Sequence, residues 1–118
     1  MKFVDIDINN ELFSYVVGEN SFENFQLIDE ANLNDLWFHA NNLPSCHVVV
    51  KIENKNLEKK TIQKIITQGA LLCKYNTNSL KSLNKIDFLC CNIGNLKKGK
   101  KEGSVYFIND KLLKFKKI

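Results

Sequence analysis

Apolar and polar positions alternate from the first residues of the chain. In Phe3-Val4-Asp5-Ile6-Asp7-Ile8, Val4, Ile6 and Ile8 share one side and the aspartates the other, a period of two that predicts a strand. Asn9-Asn10 supplies a turn signal, and residues 12–17 read as the hairpin partner, although Ser14 and Tyr15 soften the alternation. Residues 18–24 read as a loop or a short helical turn, and residues 25–31 fit strand and helix equally. Asp35, Trp37 and His39 then alternate with Leu36, Phe38 and Ala40, which predicts a strand with one polar-aromatic face. The chain turns through Asn41, Asn42, Leu43, Pro44 and Ser45 and re-enters a strand at His47-Val48-Val49-Val50. If these two strands are neighbours, His39 and His47 meet beside Trp37 on a sheet edge.

The spacing changes after residue 56. Ile62, Ile65, Ile66, Ala70 and Cys73 recur at helical intervals with Gly69 in the same stripe, while Lys59, Lys60 and Lys64 lie mostly off it. That pattern predicts one long helix over about residues 57–74. A glycine inside a helix costs about 1 kcal/mol relative to alanine, so Gly69 points to a close contact between helix and sheet. A polar turn over residues 76–82 leads to a strand at 86–91. Two more strands, 104–108 and 112–115, are expected to form a hairpin through Asn109-Asp110, a two-residue type I′ signal. The order of elements predicts an α+β fold, a mostly antiparallel sheet packed by one long helix, in a single domain over residues 1–118.

Charge is unevenly placed. Residues 1–50 hold eight acidic side chains against Lys2 alone, whereas residues 81–118 hold ten lysines against Asp87, Glu102 and Asp110. Such polarity fits a molecule whose basic side faces an anionic partner. All seventeen basic residues are lysine, and sixteen asparagines accompany them, as in a product of an AT-rich genome. Lysine brings point charge to phosphate but lacks the planar fork that reads guanine edges, so contact with backbone and shape is expected, not base readout. The densest cluster is Lys97, Lys98, Lys100 and Lys101 in residues 95–103, which also hold Gly99 and Gly103, a loop that reads either as a phosphate-binding element or as a solvated hairpin.

Other chemistries find little support. No apolar run approaches the ~20 residues needed to cross a bilayer, and Asp5 and Asp7 interrupt any signal-peptide pattern, so no membrane partner and a cytoplasmic location are expected. Cys46, Cys73, Cys90 and Cys91 form no paired ligand spacing, and adjacent Cys90 and Cys91 face opposite sides of a strand, so reduced thiols are expected. A zinc site of His39, Cys46 and His47 lacks a fourth ligand, so neither a metal nor any other cofactor is expected. Asp35, a histidine and Ser45 or Cys46 offer a superficial catalytic set, but no nucleophile elbow or phosphate loop accompanies it, and the chain is expected not to be an enzyme. Trp37 reads as a sheet anchor or a base-stacking platform, and His39 and His47 as turn-fixing groups or ligand contacts.

The run Asp35, Trp37, His39, Pro44 and His47, ahead of an apolar strand, resembles the signature of the NFACT-R domain family. Gly18, Asn20 and Asn24 upstream resemble its Gly-base-Asn…Asn segment, although Glu19 stands where the family usually has a base. Downstream, the long helix and the lysine-rich loop ending in Gly103 follow in the same order, so the resemblance spans about residues 12–118. It implies a non-catalytic nucleic-acid-binding module, RNA in preference to DNA, with transfer RNA or ribosomal RNA as partner. Longer relatives act in ribosome-associated quality control and translation. Their N-terminal, helix-hairpin-helix and coiled-coil parts are not expected in this chain, which is similar to stand-alone relatives, some of them implicated in DNA binding. On this reading Trp37, His39, His47, Lys97, Lys98, Lys100 and Lys101 contact nucleic acid, while Gly18, Asn20, Asn24, Asp35, Pro44 and Gly103 shape the motif. The competing reading is an adaptor that docks on ribosomal or other proteins.

Overall fold

Asn9 and Asn10 both adopt positive φ, 55° and 67°, and so close the first two strands into a tight hairpin. The computed structural model describes residues 1–52 and 55–118. It contains β1 (Lys2–Ile8), β2 (Glu11–Gly18), α1 (Ser21–Glu30), β3 (Leu36–Ala40), β4 (His47–Val50) and α2 (Lys59–Tyr75). β5 (Asp87–Asn92), β6 (Leu96–Lys98), β7 (Val105–Phe107) and β8 (Lys114–Lys117) complete it. Six strands form one sheet in the order β1-β2-β4-β3-β5-β8, with every neighbouring pair antiparallel. β6 and β7 make a separate antiparallel ribbon.

The predicted α+β fold is what forms, with the long helix on one face. There Phe13, Phe38, Val48, Val50 and Phe88 pack against Ile65, Ala70 and Cys73 of α2. An alanine Cβ at Gly69 would lie 2.3 Å from the Phe38 ring, so the helix can approach this strand only with glycine there. The Tyr15 hydroxyl donates to the Ile65 carbonyl at 2.8 Å, which spares a buried polar group its desolvation penalty. The other face is covered as well. Val16, Trp37, Val49, Leu89 and Cys91 pack beneath Leu27 of α1 and Leu96 of β6.

The ambiguous segment after residue 24 is helix because its start is capped. Asn20 accepts from the Glu23 amide at 2.9 Å, and the Glu23 carboxylate accepts from the Glu19 amide at 2.9 Å. The hairpin expected at Asn109-Asp110 does not form. β7 pairs with β6, β8 pairs with β5 in the main sheet, and Asn109 has φ −137° with a 3-10 turn (Asp110–Leu112) following it. Buried Asn95 explains the difference, since its side chain accepts from the Asn109 amide at 2.8 Å and donates to the Asn109 carbonyl at 3.0 Å. That double clamp holds residue 109 extended and sends the chain on to the sheet edge.

The order of strands also preserves the charge polarity. Acidic β1, with Asp5 and Asp7 outward, forms one edge, and β8, with Lys114, Lys116 and Lys117, forms the other. No helix among the described residues is long and apolar enough to cross a membrane.

Candidate nucleic-acid interface

β3 and β4 lie in the middle of the sheet, so the expected edge position of the aromatic cluster is corrected. Period two places Trp37 and His39 on the same face, and their rings stack with centroids 5.6 Å apart and planes at 8°. His47 stands edge-on to both, at 5.2 Å from Trp37 and 5.0 Å from His39. The indole Nε1 donates to His47 Nδ1 at 3.1 Å. An indole nitrogen can only donate, so His47 must carry its proton on Nε2. The Gly103 carbonyl faces this ring and favours its protonated form, and Gly103 of the basic loop lines the cleft beside it. His39 Nδ1 lies 2.7 Å from the Ala40 carbonyl and must therefore be protonated, leaving Nε2 as an acceptor.

Burial separates these three residues. Trp37 is 1% exposed and His47 2% exposed, whereas His39 is half-buried. Burial pushes His47 down to about 3, the neighbouring His39 adds to the depression, and the Gly103 carbonyl opposes it. His39 is lowered too, by burial, against the pull of the Ala40 carbonyl. Both rings are held neutral, so they contribute no charge at neutral pH. Trp37 and His47 are almost wholly covered in this arrangement, although both line the floor of a cleft, beneath His39 and the loop.

Above this floor lies a cleft of about 480 Å³ walled by His39, Leu43, Pro44, Ser104 and Phe107. Phe107 meets Trp37 at 5.8 Å in an edge-on contact. The basic loop borders the cleft. Gly99 and Ser104 close its neck, the Gly99 amide donating to the Ser104 carbonyl at 2.8 Å. Gly103 has φ +86°, a conformation side chains disfavour, and a Cβ there would sit 3.0 Å from Ser21. The Ser21 hydroxyl donates to Glu102 at 2.9 Å, so the loop also rests on the start of α1.

The four lysines diverge. Lys98 pairs with Asp29 at 2.7 Å and lies 5.3 Å over the Phe25 ring, so part of its charge is already answered. Lys97, Lys100 and Lys101 are exposed, and Lys97 stands opposite Tyr106, itself 58% exposed. β8 borders the same face, since Phe115 pairs with Leu89 at the foot of the cleft. Lys114 and Lys116, opposite Cys90 and Phe88, belong to the α2 face and not to the cleft. Phe107 was not singled out by sequence reasoning. The alternation Val105-Tyr106-Phe107 carried the signal for Phe107, but its partner strand was hidden inside the lysine run.

The motif residues are structural in plain ways. Gly18 allows close approach of Asn24, whose Oδ1 would lie 2.3 Å from a Cβ at that position. That oxygen accepts from the His47 amide at 3.4 Å. Asp35, fully buried, accepts from the amides of Asn32 at 3.0 Å and Ile52 at 2.9 Å, so it braces the entry to β3 and the exit from β4. Ser45 donates to the Cys46 carbonyl at 2.9 Å, and the Cys46 sulfur turns to Cys73 on the far face of the sheet. Cys46 therefore does not converge with the two histidines. Among the described residues no group of three or more His, Cys, Asp or Glu could hold a metal ion.

A small sheet whose polar-aromatic floor supports a cleft beside a lysine-rich ribbon is the architecture of a nucleic-acid-binding module. Residues 2–108 match the family described as the NFACT protein RNA binding domain, and the chain belongs to that family. The chain is 25% identical over 96 residues to mouse coiled-coil domain-containing protein 25, which covers 81% of this chain and 46% of that protein. It is 29% identical over 110 residues to the Dictyostelium discoideum homologue of that protein, covering 92% and 53%. The chain thus spans about half the length of the curated relatives it matches. The solved C-terminal part of a fibronectin/fibrinogen-binding protein from Streptococcus suis superimposes with a TM-score of 0.78 at 24% identity, over 100% of this chain and 45% of that one. That likeness concerns the fold. Family membership supports a nucleic-acid-binding role.

Proposed function

We propose that this chain is a non-catalytic RNA-binding module that takes transfer RNA or ribosomal RNA, with RNA preferred to DNA. The observation that carries the reading is the joining of two unlike surfaces: a largely apolar cleft and a ribbon of exposed lysines, which meet where Gly103 and Ser104 line the cleft beside His47. An unpaired base or sugar enters the cleft against His39, Pro44 and Phe107, where ring faces give stacking without sequence readout. Lys97, Lys100 and Lys101 lie along the phosphates, and displaced counterions make affinity depend on salt. Trp37 and His47 act beneath this surface by fixing its shape.

The test is fluorescence anisotropy of labelled transfer RNA and of an unstructured oligoribonucleotide at low salt, with His39→Ala alongside the unchanged protein. Binding by the unchanged protein, weakened several-fold in a His39→Ala protein that melts normally, supports the reading. Folded protein that binds neither RNA at low salt contradicts it and favours a protein-docking adaptor.

A further inference from the structure

Two thiols meet on the opposite side of the sheet from the cleft. Cys46 ends the turn before β4, Cys73 sits in the last turn of α2, and their sulfurs are 4.0 Å apart. Both are free, Cys73 fully buried and Cys46 half-buried. Cys46 lines a second cleft, of about 590 Å³, whose walls include Gly18, Asn20, Pro44 and Thr77, so a small reagent can reach it.

The surroundings favour a negative charge on one sulfur only. The two sulfurs are in hydrogen-bond contact; Cys46 Sγ also lies 3.5 Å from the Cys73 carbonyl, and Cys73 Sγ lies 3.2 Å from the Cys46 carbonyl and 3.4 Å from the Ser45 hydroxyl. The hydrogen bond between the sulfurs lowers Cys46 to about 7 against the effect of burial, with help from the Thr77 hydroxyl and the Cys46 amide. Cys73 moves the other way, because its hydrogen is held by Cys46 and its site is buried. Burial raises Cys90 to about 12 and Cys91 to about 11, so those thiols stay protonated.

We infer that Cys46 is a nucleophilic modification site for two-electron oxidants of the peroxide class, with Cys73 as the resolving thiol that closes an intramolecular disulfide. In the first step the Cys46 thiolate attacks one peroxide oxygen. A sulfur–oxygen bond forms, the oxygen–oxygen bond breaks, and the departing oxygen takes a proton to leave as water or alcohol. The sulfur, oxidised by two electrons, becomes a sulfenic acid. In the second step the Cys73 sulfur attacks that of Cys46 and the sulfur–oxygen bond breaks. Hydroxide leaves with the Cys73 proton as water. The sulfurs, 4.0 Å apart, close to about 2.05 Å when the disulfide forms. The bond would tether the turn to α2 one residue ahead of His47.

The experiment uses the folded, reduced protein. Iodoacetamide at neutral pH, followed by peptide mass spectrometry, should label Cys46 more than about tenfold faster than Cys90 or Cys91. Hydrogen peroxide should then yield a peptide pair joined through Cys46 and Cys73, lighter by two hydrogen atoms. In Cys73→Ala, a dimedone adduct should accumulate on Cys46 instead. Equal labelling of Cys46, Cys90 and Cys91, or peroxide treatment that gives no Cys46–Cys73 link, would overturn the inference. Both results come from the unaltered protein, so they decide even if Cys73→Ala does not fold.

Discussion

Replacing His47 with alanine tests the claim that this residue holds the floor and the loop together. Its imidazole accepts from the Trp37 indole at 3.1 Å, at a position only 2% exposed. Alanine leaves the indole N–H without its partner and removes the ring that packs between Trp37, His39 and the loop. The orphaned donor costs about 1–3 kcal/mol and the lost ring packing adds to it, so the sum is about 2–5 kcal/mol. At roughly 4 °C per kcal/mol for a domain of this size, the melting temperature should fall by about 8–20 °C. Thermal unfolding followed by circular dichroism measures the loss, and Trp37, the only tryptophan, reports the local change by fluorescence. His39→Ala removes one hydrogen bond at a half-buried position and should cost only about 1 kcal/mol. Equal losses from the two substitutions, or a His47→Ala loss under about 1 kcal/mol, would refute the distinction between supporting and contacting histidines.

Stability should also fall with acid. His47 has a folded-state pKa of about 3 against an ordinary 6.5, so between those values the unfolded chain binds a proton that the folded chain refuses. Stability is therefore complete above that window and declines through it by up to about 1.4 kcal/mol per pH unit, and His39, shifted in the same direction, steepens the decline. Denaturant titrations from pH 7 to pH 4 check it, and a slope unchanged in a folded His47→Gln protein would count against it. Gly69→Ala should destabilise despite better helix propensity, because the new Cβ meets the Phe38 ring at 2.3 Å; overpacking of this kind costs about 1–3 kcal/mol, read from melting curves. Gly103→Ala should loosen the loop through its φ of +86° and the contact with Ser21, seen as faster amide exchange over residues 99–104.

Much of the fold was legible because alternation and helical spacing are local. β1 to β4, α2 and β5 followed from their apolar patterns, and Gly69 announced the close approach of helix to sheet. The segment after residue 24 was undecided because its stripe is weak, and what made it helix is the cap from Asn20 to Glu23. The false hairpin at Asn109-Asp110 shows the opposite case: a strong local turn signal yielded to a buried side chain, Asn95, fourteen residues away. The meeting of His39, His47 and Trp37 was legible from strand pairing. Their depth was not, since it depends on the β6–β7 ribbon folding over them, and a lysine-rich run gives no period from which to read a covering strand. The contact between Cys46 and Cys73 joins residues 27 apart with no motif spacing. Only the packing of α2 on the turn before β4 reveals it.

Phosphate contact by the ribbon decides whether this chain binds RNA as proposed. Affinity for transfer RNA, measured by anisotropy across a range of salt, gives a log–log slope of about −0.7 to −0.9 per neutralised phosphate. Changing Lys97, Lys100 and Lys101 together to alanine removes three exposed contacts, while Lys98 stays paired with Asp29. The slope should become shallower by about 2, and affinity should fall evenly across RNA sequences. A folded triple variant that binds with an unchanged slope would contradict the proposed function.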